Sequence, residues 1–426
     1  MMTRVNYQTS SRSYMPLIVT CIITIFSYST IAQEWTRFRG PNGTGHSLNK
    51  ELSFPTNWNE SDYKWKINLK GEGHSSPVIW KNNLYITYSN RKTGQIYLES
   101  FNATTGRSNW VSDFSTKIHR LHHFNSFTSS SPAVDENNIY ITWTNKGQNI
   151  LTAVNHSGKK QWQLDFGPYA SKHGGGVSPV VYKNLVILPN DQVGKSFIVA
   201  VNRNTGKEVW RTPRKGLHAA YSTPCIYKHD AGEWLILNSH HNGITALDPN
   251  TGKVIWEKDD LFNKRSVMSP VIVSGLVIGS CGSGGGGNYV VAVKPGSHDG
   301  KIAPKLAWKV DKSAPYVPST IAVNDKLYLY YDGGHVSCID GPTGKTIYRE
   351  RSKAGTFFSS PIYVGGYIYC ISKGGIMSVV KPGDSFEEIS TIDLGELSYA
   401  TPAIANGNMY IRTLTHIYCL QGSRRQ

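Results

Sequence analysis

A Ser/Thr-Pro step returns along almost the whole chain, at Pro77, Pro132, Pro179, Pro224, Pro270, Pro361 and Pro402. Ser319-Thr320 stands in the equivalent place between the fifth and sixth of these. With Thr320 as that member, successive openings lie 55, 47, 45, 46, 50, 41 and 41 residues apart. A period of this length is that of a four-stranded propeller blade. The stretch 222–256 shows the unit: Ser222-Thr-Pro opens one short apolar run, and Glu233 to Asn238, Ile244 to Asp248 and Val254 to Trp256 supply three more. These runs are too short for typical helices and are rich in Val, Ile, Tyr and Trp, so they read as strands. The turn Asp248-Pro-Asn-Thr-Gly252 supplies a Pro for one corner and a Gly free to take positive φ.

Two further columns fix the register. The third strand holds Ser100, Ala153, Ala200, Ala246, Ala292, Cys338, Val379 and Cys419, all small or modest in size. The fourth closes each unit with Trp110, Trp162, Trp210, Trp256, Trp308, Tyr348 and Ile389, and an eighth member is missing at the C-terminal end. The missing pattern stands at the other end, in Tyr63-Lys-Trp-Lys-Ile-Asn-Leu69, where Trp65 fits the closing column. The sequence therefore predicts an all-β fold: an eight-bladed propeller of four-stranded antiparallel blades over 63–426, the last blade closed by the N-terminal strand around Trp65. Such closure removes the open edge between first and last blades.

Ahead of the propeller, Arg4 and Arg12 precede an apolar run from Leu17 to Tyr28 and small residues at Thr30 and Ala32. This reads as a signal peptide over 1–32, which predicts a periplasmic or secreted protein with no transmembrane segment once the leader is removed. Cys21 follows Thr20 and is followed by further apolar residues, so no lipoprotein signal is assigned. Loss of two arginines and no acid takes the formal charge from +16 to +14, which favours anionic partners. For an exported chain these are an acidic polysaccharide, a lipid or lipopolysaccharide surface, or an acidic face of an envelope protein, in preference to nucleic acid. The five remaining cysteines, Cys225, Cys281, Cys338, Cys370 and Cys419, form no Cys-x-x-Cys pair, and their odd number implies no disulfide framework.

The N-terminal arm, 33–62, contains Trp35-Thr-Arg-Phe-Arg-Gly-Pro-Asn-Gly-Thr-Gly45. Its alternation of aromatic and basic residues fits either an anion- or sugar-contacting arm or a strap packed on one face of the ring. The run Gly282-Ser-Gly-Gly-Gly-Gly287 matches a dinucleotide fingerprint in letters only. A strand-like run, Asn288 to Val293, follows it where a helix N-terminus is required, so it reads as an inter-strand loop.

In an antiparallel blade the loop between strands two and three and the link to the next blade emerge on the same face. Mapped onto those segments, His74, His119, His122, His123, His173, His218, His240 and His241 share one face, joined by Asn190, Asp191, Arg265, Tyr316 and Tyr399. These thirteen residues form the candidate binding face. Converging imidazoles suit a His-bound transition metal, and a His/Tyr pair suits acid–base work on an anionic sugar. A polar rim used for binding alone is the third possibility. Adjacent residues of a strand point to opposite sides, so at most one member each of His122-His123 and His240-His241 is expected to face the site unless the backbone is irregular there.

The Ser-Pro openings, the Ala-Val/Leu-Asn/Asp third strands and the endings Asn204-Thr-Gly-Lys-Glu-Val-Trp210 and Asn250-Thr-Gly-Lys-Val-Ile-Trp256 resemble the pyrroloquinoline-quinone (PQQ)-like propeller repeat. The resemblance covers roughly 63–420. It points to the quinoprotein alcohol dehydrogenase-like superfamily, which includes BamB-like proteins, and implies eight blades whose signature residues pack the blades together. It implies function weakly, because the repeat specifies packing. The chain lacks the adjacent cysteine pair that sits over the quinone in the dehydrogenases. The expectation is accordingly a non-catalytic binding or scaffold protein for a macromolecular partner, with no cofactor. The alternatives are a propeller lyase acting on acidic polysaccharide and a dehydrogenase using PQQ with calcium.

Overall fold

A computed structural model of the chain describes residues 1–4, 6 and 34–425. The expected signal peptide lies outside the described residues but for its first few positions. Strands dominate: the described residues form eight four-stranded antiparallel sheets and one two-stranded ribbon. In the fourth blade the strands are Cys225–His229, Gly232–Ser239, Gly243–Leu247 and Val254–Lys258. The other blades repeat this order, giving an eight-bladed propeller.

The final sheet is assembled from both ends of the chain. Strands Ala403–Ala405, Asn408–Arg412 and His416–Gln421 are completed by Tyr63–Asn68, which pairs antiparallel with His416–Gln421 and sets Trp65 opposite Cys419. Outside it, Leu52–Ser53 pairs with Ser423–Arg424, so the two termini of the described region are tied twice.

The closing column works between blades. Trp65, Trp110, Trp162, Trp210 and Trp308 each donate Nε1–H to a backbone carbonyl of the following blade, at 2.8 to 3.2 Å. Each ring lies against the glycine of that blade's Thr-Gly or Ser-Gly turn. A Cβ on Gly106 or Gly206 would come within 2.9 Å of Trp65 or Trp162, and both glycines have φ of 72°. Glycine is required there for space and for conformation. Trp256 is the exception: its Nε1 is buried with no partner among the described residues. The turn it would meet in the fifth blade is replaced by the longer segment 295–304 between strands Tyr289–Lys294 and Lys305–Val310.

One position of that column is corrected. Val379 pairs with Ser390, and Ile389 occupies the bulge one residue earlier, where it is 38% exposed. The Ser390 hydroxyl donates to the carbonyl of Thr56, and Trp58 of the arm packs 6.5 Å from the Tyr369 ring. The arm thus covers the gap that a tryptophan fills elsewhere.

Further toward its start, the arm runs under the inner strands. Trp35 pairs with Ile79 through two backbone hydrogen bonds, and Val134 N–H donates to the Thr36 carbonyl. Arg37 donates to the Pro224 carbonyl at 2.5 Å, Arg39 to that of Thr320 at 2.7 Å, and Tyr363 N–H to that of Gly45. These contacts touch blades one, two, four, six and seven. The segment therefore crosses the ring axis as a strap. Burial pushes both guanidinium groups down to about 10. Their described hydrogen bonds go to carbonyl oxygens, an arrangement for fastening rather than for receiving an outside anion. The five cysteines are buried and free. Among the described residues no helix is long and apolar enough to cross a membrane.

Candidate functional site

The first residue of each Ser/Thr-Pro step builds the floor of the site. Ser76 N–H donates to Ser131 Oγ at 2.8 Å and Ser131 N–H to Ser178 Oγ at 3.0 Å. The chain continues through Thr223, Ser269, Ser319, Ser360 and Thr401, whose N–H returns to Ser76 Oγ at 3.0 Å. This closed circle joins every blade to the next around the axis. It explains why the sixth opening keeps Ser319 although Thr320 replaces proline: the hydroxyl makes the link. All eight hydroxyl residues line a cavity of about 630 Å³, with Phe38 of the strap also contributing. The repeat's signature residues thus do more than pack the blades together: the hydroxyl half of the Ser/Thr-Pro signature also faces the cavity.

Two residues before each hydroxyl the chain supplies a second tier: His74, Ser129, Gly176, Tyr221, Val267, Val317, Phe358 and Tyr399, all lining the cavity. Small residues at Ser129 and Gly176 widen one side, and aromatic rings crowd the other. His74 and Tyr399 lie 4.5 Å apart by ring centroid, and Phe358 and Tyr399 5.7 Å. Above this tier stand His122, His123 and Phe124 from the first link, His173, Arg265 and Tyr316 from later links, and Tyr331, Asp332 and Lys373 from inter-strand loops. The glycine-rich segment lies between strands two and three of blade five, as its sequence context implies, and Ser283, Gly284 and Gly286 reach the cavity wall.

Seven of the thirteen expected residues therefore converge: His74, His122, His123, His173, Arg265, Tyr316 and Tyr399. His119 lies aside, its ring 5.2 Å from Phe127. Asn190 accepts from the Asn149 side chain and Asp191 is ion-paired with Arg214 at 3.2 Å, so both serve packing beside blade three. His218, His240 and His241 form a cluster of their own. For the adjacent pairs the irregular case holds: His122 and His123 rings are 4.4 Å apart and His240 and His241 rings 4.0 Å, in segments outside the strands. The residues that histidine counting missed are Tyr221, Phe124, Phe358, Asp332 and Lys373. Counting back two from each Ser/Thr-Pro hydroxyl finds Tyr221 and Phe358, and the loop mapping finds the acid and the lysine.

The cavity is cationic in character. Lys373 Nζ sits 4.7 Å from the Phe124 ring and 4.9 Å from that of Phe358, held by cation–π contact at the mouth. Asp332 is the one acidic side chain among the described lining residues. Both its oxygens accept backbone N–H groups, from Tyr316 at 2.6 Å and Val317 at 3.1 Å, yet burial still lifts its carboxyl to about 6. Burial, reinforced by Arg412 and Arg91, lowers His74 to about 3; burial with Arg265 and His122 lowers His173 to about 4. His122 is lowered too, by burial and then by His123 and Arg265. Neutral imidazoles beside fixed cations result. His122 Nδ1 accepts from the Phe124 N–H at 3.3 Å, whereas His173 Nε2 is buried with no partner among the described residues. Burial raises Tyr221 to about 12, and it raises Tyr316 and Tyr399 as well.

A calcium–quinone pair would find one carboxylate among the described lining residues. Calcium takes six to eight oxygen ligands, but the oxygens of Asp332, Asn125 and Asn288 are engaged: Asp332 as above, Asn125 by Ser126 N–H and Ser129, and Asn288 by Ser283 N–H. Cysteine is absent from the described lining residues.

No protein-family model matches the chain, and no curated protein matches it. Solved structures do. BamB from Moraxella catarrhalis aligns with a TM-score of 0.61 and 13% identity, over 87% of this chain and 99% of that one. A quinohemoprotein alcohol dehydrogenase from Comamonas testosteroni gives 0.65 and 13%, over 92% and 82%. A europium-containing methanol dehydrogenase gives 0.58 and 12%, over 90% of each. The chain has the eight-bladed propeller fold of these structures. At these identities the likeness extends to architecture, and the site must speak for function.

Proposed function

We propose that this propeller is a non-catalytic binding protein that draws a carboxylate-bearing group of a macromolecular partner into its axial cavity. The observation that carries the reading is the charge of that cavity. Arg265 and Lys373 face it, and the one carboxylate among the described lining residues is spent on backbone N–H groups. A volume of about 630 Å³ suits one or two sugar rings or a short side-chain cluster. The closed strap below makes it a pocket rather than a channel. An acidic polysaccharide and an acidic segment of an envelope protein offer the same chemistry. The likeness to BamB supports a binding role, and the leader expected over 1–32 supports a periplasmic or secreted location. Titration with an oligogalacturonate, a glutamate-rich peptide and a neutral oligosaccharide separates the sources. Binding of the first or second alone, weakened by salt, assigns the partner; equal binding of the neutral sugar, or none of the three, overturns the reading.

A second reading rests on His173 and His122, kept neutral beside Tyr221 and Arg265. A neutral imidazole can take the proton next to a uronate carboxylate while a tyrosine protonates the departing glycosidic oxygen, leaving a carbon–carbon double bond. Ultraviolet absorbance of unsaturated uronate, growing with time on a polyuronate, is its signature; a flat trace with bound ligand leaves binding alone.

A further inference from the structure

We propose that His218, His240 and His241 form a binding site for a divalent transition ion of the zinc class, separate from the axial cavity. His218 comes from the link between blades three and four, and the other two from the turn after strand Gly232–Ser239. Each offers one ring nitrogen, and the three nitrogens lie within 4.8 Å of one another. His218 Nδ1 and His241 Nε2 are 3.0 Å apart. Zinc–imidazole bonds of about 2.0–2.1 Å place tetrahedral nitrogens roughly 3.3 Å apart, so small side-chain rotations complete the set.

An independent feature marks the place. His240 is 9% exposed, and its Nδ1 is buried with no hydrogen-bond partner among the described residues. A buried polar atom left without a partner is costly and calls for an explanation, and beside two further imidazoles a bound ion supplies one. The surroundings are also held in place. Asn242 accepts from Lys215 N–H at 3.2 Å and donates to the Lys215 carbonyl and Ser239 Oγ at 3.4 Å, pinning the link to the turn. Arg214, one residue earlier, is buried against Asp191. Gly243, at φ 56°, lets the chain leave the turn at once. The nearby Lys215 ammonium is paired with Asp259.

The donor set decides the ion. Three imidazoles suit zinc, copper or nickel, whereas magnesium and calcium require oxygen ligands. Three protein ligands leave a fourth position open, and because His218 is exposed that position faces solvent.

The test is titration of the chelator-stripped chain, without an affinity tag, with Zn²⁺ alone. One equivalent is expected to bind. His218→Ala and His241→Ala are each expected to weaken it by more than the roughly 10–100-fold loss typical of an outer-shell partner. Both side chains are at least partly exposed, so the variants should fold, as circular dichroism will check. His122→Ala combined with His173→Ala should bind zinc as the parent does. A second measurement needs no variant: the X-ray absorption of the bound zinc should show imidazole nitrogen ligands. The proposal is overturned if the parent binds no zinc at micromolar concentration, if the double His218→Ala/His241→Ala chain binds it unchanged, or if the absorption spectrum lacks imidazole scattering.

Discussion

Replacing Ser131 with alanine isolates one link of the hydroxyl circle. Ser131 is 3% exposed, and its Oγ accepts the Ser76 N–H at 2.8 Å. Ser131→Ala leaves that buried N–H unpaired, at a cost of about 1–3 kcal/mol. Ser131→Thr keeps the oxygen, and the same circle already uses threonine at Thr223 and Thr401. For an unfolding entropy of about 2.1 cal/mol/K per residue over roughly 390 residues, the alanine variant should melt about 1–4 °C lower. The threonine variant should stay within about 0.5 kcal/mol of the parent. Differential scanning calorimetry of the three proteins at one concentration reads both. Equal melting of the alanine and threonine variants would refute the argument, because it would mean that water or a neighbour satisfies the Ser76 N–H as well as Ser131 does.

The tryptophan column makes a paired prediction. Trp162→Phe removes the hydrogen bond to the Arg203 carbonyl and should cost about 1 kcal/mol beyond its packing change, whereas Trp256→Phe, whose Nε1 has no partner, should cost less. Chemical denaturation of both variants settles it, and equal losses would contradict the docking account. Acid should destabilise the protein through His74. Its folded value, about 3, lies below the ordinary 6.5, so the unfolded chain takes up the proton first as pH falls. Its contribution is complete above about pH 6.5 and declines from there toward pH 3; by pH 5 the loss amounts to about 2 kcal/mol. His74→Gln should flatten this limb of the stability profile, and an unchanged profile would show that His74 is not the group responsible.

The repeat was legible because each of its columns is tied to one contact. Ser/Thr before proline makes the circle, the small third-strand residues pack between sheets, and the tryptophans dock on the next blade. Where a column is filled by another segment, reading from spacing slipped: Val379 plus ten residues gives Ile389, but the hairpin is one residue longer and Ser390, covered by the arm, takes the place. The cavity was half legible. Histidines placed on loops marked its rim, yet the tier holding Gly176, Val267 and Phe358 carries no common chemistry and so no letter pattern. Asn190 and Asp191 sit where the mapping puts them, but their partners, Asn149 and Arg214, come from other strands and turn them away from the cavity. The strap was ambiguous for a similar reason: only the carbonyls of Pro224 and Thr320, far away in sequence, show that Arg37 and Arg39 fasten the ring.

The central claim is that the axial cavity takes a carboxylate, and calorimetric titration of the parent and of the Arg265→Ala/Lys373→Ala chain with the better of the two acidic ligands tests it most directly. Both side chains are partly exposed and lie outside the blade cores. A charged hydrogen bond is worth about 1.5–3 kcal/mol, so the double variant should bind at least about tenfold more weakly, with a shallower salt dependence and an unchanged melting temperature. Equal affinity and equal salt dependence in parent and variant would contradict the account.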